Sequence, residues 1–318
     1  MKRKIIKQGN NTLTITLPRK WTSKFGINVG DEINVEESDK SLVISSDKIK
    51  GLSEINISFD KLNQPLVWRT IIGAYRTGYD SININFDQEK KYKNIYTTLA
   101  DSKEKIIMSP IEMVQDVVSS LCGMAIIEQK TNYCVIKDLG EITNKEFDNT
   151  LRRIFFIIEG MGEDCLRLYN EKKESIVRGI EVADISIDKF VDFCLRVLNK
   201  IGYNNFKKTS TIYSIILLLE YIGDEYKRTS YHLIKIKKGS RELFSIFENV
   251  NKFFIAFSKF FYNFNKENML SIYEENEKLM KQIRSFNFKK GEEEIIHHLK
   301  KIRRFIIDLK QLRIDLES

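Results

Sequence analysis

The sequence predicts a multidomain α+β chain: a small β-rich N-terminal module, a small α/β middle domain and an all-α bundle of about six helices. Three observations point there. Apolar and polar residues alternate with period two in the first 48 residues, as in half-buried strands. Residues 51–142 read as strand, helix, strand, helix, strand, strand. After Pro110 the chain runs 208 residues without proline, the strongest helix breaker, while apolar residues recur at spacings of three and four. Domains are expected at 1–48, 51–142 and 143–318. The 318 residues, 42% apolar and 30% charged, suit two or three folded domains rather than a disordered chain.

In the first domain, Thr12-Leu13-Thr14-Ile15-Thr16-Leu17 reads as a strand ended by Pro18. Ser23 to Phe25 reads as a turn, residues 31–36 as a strand, Asp39-Lys40 as a turn and residues 41–44 as a last strand. In the middle domain, residues 55–59 and 82–86 alternate as strands around a helix that Pro65 opens and Gly78 closes. Ser109-Pro110-Ile111-Glu112 has the form of a capping box with Pro at the first helical position. Strands are expected at 125–129 and 134–137 with Asn132 at their turn; residues 90–105 carry no clear pattern. Beyond Thr143, breaks are expected at Lys172-Lys173, 202–205, Lys238-Gly239, Asn265-Lys266 and 287–291. They divide the bundle into helices of 20–30 residues and hint at two three-helix repeats.

Charge is unevenly placed. The net charge is +8, yet the first 24 residues hold Lys2, Arg3, Lys4, Lys7, Arg19, Lys20 and Lys24 and no acid. That leaves 45 of the 52 bases against 44 acids in the remainder. A polyanion at the N-terminal module is therefore the first partner to consider, with solvated lysines on a pure dimerisation device as the bland reading. Cys122, Cys134, Cys165 and Cys194 are widely spaced and form no zinc pattern with His232, His297 and His298. No apolar segment follows the basic start, and the longest apolar run, around residues 212–222, is interrupted by Ser214 and Glu220. A soluble, cytoplasmic protein without membrane insertion and with reduced thiols is expected. No nucleophile–base constellation, glycine-rich phosphate loop or Gly-x-Ser-x-Gly turn appears, so no enzyme is expected.

Carboxylates recur four residues apart within helical sequence: Glu159 and Glu163, Asp184 and Asp188, Glu220 and Asp224. Like charges at that spacing repel, so such pairs need solvent, facing bases or a cation. Oxygen-only ligands suit Mg, Mn or Ca, with Fe or Zn also admitted. His297-His298 and Lys300-Lys301-Ile302-Arg303-Arg304 read as solvated helix surface, with contact to a polyanion as the alternative for the basic run.

Two motif series carry resemblances. Lys7-Gln8-Gly9-Asn10-Asn11-Thr12, Leu17-Pro18-Arg19-Lys20-Trp21, Gly26 and Gly30-Asp31-Glu32-Ile33 resemble the swapped-hairpin DNA-binding domain of the AbrB/SpoVT type over about 47 residues. That resemblance implies a homodimer whose chains exchange hairpins to close a β-barrel. It also implies DNA contacts through Arg3, Lys4, Lys7, Arg19, Lys20 and Lys24; Trp21 and Phe25 read as core rather than base-stacking groups, and Asp31 as a residue that caps or holds a turn. Leu219-Glu220-Tyr221-Ile222-Gly223-Asp224, with residues 181–188 before it, resembles PhoU-type helical domains, whose acid-x-x-x-acid motifs hold multinuclear metal clusters. Tyr221 stands where that motif has Arg, and Arg304 stands before Asp308 where a second motif would begin. The order of the three domains resembles archaeal phosphate-uptake regulators. A DNA-binding regulator linked to phosphate uptake is thus expected, with the bundle as sensor. The alternative is an adaptor that controls a phosphate transporter, kinase or other signalling protein and uses the N-terminal module only to dimerise.

Overall fold

The computed structural model describes residues 2–38, 41–45, 53–93, 107–140, 143–237, 239–287 and 289–317. The chain divides into two compact units, Met1–Ser53 and Glu54–Ser318.

The first unit holds two separate antiparallel hairpins. β1 (Ile6–Gln8) pairs with β2 (Thr12–Thr14), Lys7 opposite Leu13, and β3 (Asn34–Ser38) pairs with β4 (Ser41–Ser45). Gly9 turns the first hairpin with φ of 70°, a left-handed conformation that glycine adopts without strain. The turn expected at Asp39-Lys40 lies outside the described residues. The turn expected at Ser23–Phe25 is instead the end of a short helix, α1 (Arg19–Lys24), entered from Pro18, whose carbonyl accepts from the Trp21 and Thr22 amides at 2.9 and 3.0 Å. The strand expected at residues 12–17 stops at Thr14, because β1 offers a partner only three residues long.

In the second unit, a four-stranded sheet has the order β5 (Glu54–Ser58), β6 (Ser81–Asn85), β10 (Tyr133–Asp138), β9 (Met124–Lys130). β5 and β6 are parallel, so their connection crosses over through α2 (Gln64–Thr77). Asn63 caps α2 by accepting from the Leu66 amide at 3.1 Å, and Gly78, at φ of 100°, ends it. Alternation sends Ile57, Ile82 and Ile84 into the core and aligns Asn56 with Asn83 on the other face, 3.2 Å apart. A two-residue pair, β7 (Tyr92–Lys93) with β8 (Ile107–Met108), precedes α3 (Pro110–Ser119). Both halves of the capping box expected at Ser109 and Glu112 are present.

Six helices follow among the described residues: α4 (Asn144–Glu171), α5 (Glu174–Ile201), α6 (Thr209–Leu233), α7 (Arg241–Tyr262), α8 (Lys266–Ser285) and α9 (Glu293–Asp315). Their breaks fall at the expected places, apart from Lys238, which lies outside the described residues. Thr143 and Glu146 form a second capping box, and Lys172 ends α4 in the left-handed conformation. Helices α4, α5 and α6 pack on one another; α7 packs on α4 and α8, and α9 on α6 and α7. The first helices of the two triplets thus meet, and so do the third. Phe155 of α4 packs its ring 5.0–6.0 Å from Phe254, Phe257, Phe261 and Tyr262 of α7. Gly223 lets α6 approach α5: a Cβ there would stand 2.8 Å from Ile187 Cδ1.

The sheet lobe is joined to the bundle through α2 and α5. Arg196, 1% exposed, donates to the Tyr75 and Tyr79 carbonyls at 2.7 and 2.9 Å and to Asp138 Oδ2 at 2.6 Å. Its guanidinium also lies 4.8 Å from the centre of the Tyr75 ring. Lys200 bridges Asp80 and Asp138 at 2.5 and 3.0 Å. Removing one partner of a buried ion pair strands the other charge and costs about 3–5 kcal/mol. Arg196→Ala leaves Asp138 with Lys200 alone and unpairs the Tyr75 and Tyr79 carbonyls, so it should lower unfolding stability by about 3 kcal/mol. In urea denaturation followed by circular dichroism, a midpoint equal to that of the wild type would contradict the assignment.

Candidate functional site

The basic residues of the first unit lie on its surface. Arg3, Lys4 and Lys7 are exposed on and before β1, and Arg19 and Lys20 are exposed at the start of α1. None of the five forms an ion pair with a described carboxylate. Lys24 closes α1, and its side chain lies outside the described residues. Trp21 and Phe25 pack against each other with ring centres 5.8 Å apart, and both are half-buried. Asp31 Oδ2 accepts from the Asn28 amide at 2.8 Å and so holds the turn before β3. No described residue of this unit is buried, and Ile5, Ile6, Leu13, Ile15, Val35 and Leu42 are 52–68% exposed.

The carboxylates of α5 and α6 converge. Asp184, Asp188 and Asp192 follow one another at four-residue spacing on α5, facing Glu220 and Asp224 on α6. Lys227 stands between the two helices and binds both Asp184 and Asp224, the latter at 3.0 Å. Burial works against its charge, but the two carboxylates more than offset this and hold it protonated. Arg76 of α2 pairs with the buried Asp192. Burial raises the Asp184, Asp192 and Glu220 carboxyls, with Lys227 opposing at Asp184 and Arg76 at the other two. Asp188 keeps an exposed edge, but packing on its inner side and the charges of Asp184, Glu220 and Asp224 push it up to about 8 against the pull of Lys227.

Glu159 is half-buried and Glu163 exposed on α4, and neither is among the charges acting on Asp188 or Glu220. Arg304 and Asp308 form an exposed pair at 3.2 Å, and Tyr221 sets its ring 5.8 Å from that of Phe305 on α9. Among the described residues, these acids do not place three ligand atoms within 4.8 Å of one another. The Lys227 ammonium bridges one acid from each of two such pairs, Asp184 and Asp224.

Residues 6–51 match the family described as antidote-toxin recognition MazE, bacterial antitoxin. The N-terminal module is MazE-like. The match spans 46 of the 318 residues and concerns this module alone. No curated protein and no solved structure matches the chain. Among the described residues, no helix is long and apolar enough to cross a membrane. Lys7, Arg19, Lys20 and Lys24 lie within the matched residues and Arg3 and Lys4 just before them, whereas the acidic pairs belong to the second unit.

Several residues of the α5–α6 face escape sequence reasoning. Asp192 continues the spacing of Asp184 and Asp188 and was legible as a third step. Arg76 lies 116 positions from its partner, and no local pattern joins them. Glu225 is buried beside the visible Asp224, and its partners Arg228, His298 and Lys301 come partly from α9. Burial would raise Glu225, but the hydrogen bond and charge of His298, with Lys301 and Arg228, outweigh it and bring the carboxyl to about 2.

The Asp188 shift has a definite sign. A carboxyl whose pKa is higher folded than unfolded holds its proton more tightly in the native state. Its stability contribution is complete below about pH 4, the unfolded value, and is lost as pH rises towards the folded value. Asp188→Asn keeps a neutral group there, so its melting temperature should exceed that of the wild type by a margin that widens from pH 4 to pH 8. Thermal melts across that range check it, and a margin independent of pH would contradict the assignment.

Proposed function

We propose that this protein is a DNA-binding regulator acting as a homodimer, with its MazE-like module on DNA and its helical bundle as the sensor or interaction domain. One observation carries the reading. Arg3, Lys4, Lys7, Arg19 and Lys20 are exposed and meet no described carboxylate, on a module with no buried described residue. Two-stranded hairpins are marginal alone and need further strands or a packed face. The Thr12–Leu17 alternation outruns the partner strand of its own chain, so a second copy exchanging hairpins would extend the pairing and cover Leu13 and Ile15. The dimer would gather about 14 cationic groups near one axis, a footprint for DNA phosphates. The MazE match and the AbrB/SpoVT resemblance fall on the same residues. The resemblance to archaeal phosphate-uptake regulators supplies the regulated process, and the PhoU-like reading of the bundle rests on its sequence and helix order.

The test is a titration of duplex DNA with the full chain at several salt concentrations, read by fluorescence anisotropy. Neutralising about six phosphates gives a log–log salt slope near −5 and a loss of about 10³ in affinity between about 50 and 200 mM salt. The triple variant Arg3→Ala, Lys4→Ala, Lys7→Ala should bind more weakly and flatten the slope by about one unit per lost contact. Binding that ignores salt, or a triple variant that binds as the wild type does, would defeat the reading in favour of the adaptor.

A further inference from the structure

Where α6 ends and α9 begins, three metal-ligand side chains come together outside the acidic face. His232 lies in the last turn of α6, Glu294 in the first turn of α9 and His298 one turn later. One ligand atom from each lies within 4.8 Å of the others. The spacing of four on α9 stacks Glu294 and His298 on one face, and the rings of His232 and His298 are 5.3 Å apart. His298 is 7% exposed, and its Nδ1 lies 2.5 Å from Glu225 Oε2. Glu225 Oε1 is held in turn by Arg228 Nη1 at 2.5 Å and Lys301 Nζ at 3.4 Å.

We infer that His232, Glu294 and His298 bind one divalent transition cation of the zinc class, with Glu225 as the positioning residue. Two imidazoles and one carboxylate suit zinc, whereas magnesium and calcium take oxygen ligands. The Nδ1–H of His298 donates to Glu225 in either charge state and fixes the ring, and the cation takes the Nε2 lone pair by displacing the proton that the imidazolium carries there. Carboxylates orient metal-binding imidazoles in this way. Tetrahedral zinc sets its ligand atoms about 3.3–3.5 Å apart. The exposed Glu294 side chain closes the remaining gap by rotating, and its exposure gives the cation an entry path. Three protein ligands leave a fourth position for water. His297 is exposed on the neighbouring face and takes no part.

The experiment uses the full chain stripped with a chelator, then titrated with zinc by calorimetry and with cobalt(II) by visible absorption. The expected result is one zinc per chain, a tetrahedral cobalt spectrum, and a melting temperature raised by zinc. His232→Asn and Glu294→Gln should each weaken binding by at least about tenfold, and His297→Asn should leave it unchanged. Glu225→Gln should weaken it about 10–100-fold and shift the cobalt bands, which a purely structural role would not do. Glu294→Gln alters an exposed side chain and leaves the fold in place, so its result stands by itself. No zinc uptake, affinity unchanged in His232→Asn and Glu294→Gln, or displacement of zinc by a modest excess of magnesium would overturn the inference.

Discussion

The second unit depends on a guanidinium kept from water. Arg196 stands in the apolar run Cys194-Leu195-Arg196-Val197-Leu198, where a charge is tolerated only if it is paired, and its two terminal nitrogens supply the pairing. They go to two carbonyls around the C-terminal end of α2 and to Asp138 at the end of β10. Burial alone would raise the Asp138 carboxyl, but Arg196 and Lys200 outweigh it and keep it low. The sheet lobe is therefore fastened to the bundle at one orientation by hydrogen bonds with strict geometry.

From that joint, alternating charges run across the bundle. Arg76 meets Asp192, Lys227 spans Asp184 and Asp224, Arg228 spans Asp224 and Glu225, and Glu225 reaches His298 on α9. A change at the lobe and a change at α9 would thus act on one electrostatic network.

Features with local causes were legible in the sequence. The capping boxes at Ser109 and Thr143, the Gly78 stop and the helix breaks are written within a few residues of where they act. The Ile-Asn alternation of β6 likewise gave its inward and outward faces. Other features depend on partners far along the chain. The end of β2 at Thr14 reflects the length of β1, and α1 replaced an expected turn because the Pro18 carbonyl can close a helical turn. The pairing of Arg76 with Asp192 and of Glu225 with His298 joins residues 116 and 73 positions apart. His298 read as solvated surface because its own helix is charged; its burial comes from α6.

The N-terminal module is governed by an opposite constraint. Its basic side chains meet solvent, and among the described residues its apolar side chains Ile5, Ile6, Leu13, Ile15, Val35 and Leu42 are left exposed. At about 25 cal/mol per Å² of apolar surface, that exposure favours association. The central claim is that a second copy completes this module. Sedimentation equilibrium of the full chain tests it most directly, with Leu13→Asp and Val35→Asp as comparison variants. The account predicts a wild-type dimer that each variant shifts towards monomer. A monomeric wild type, or a dimer indifferent to both substitutions, would contradict it.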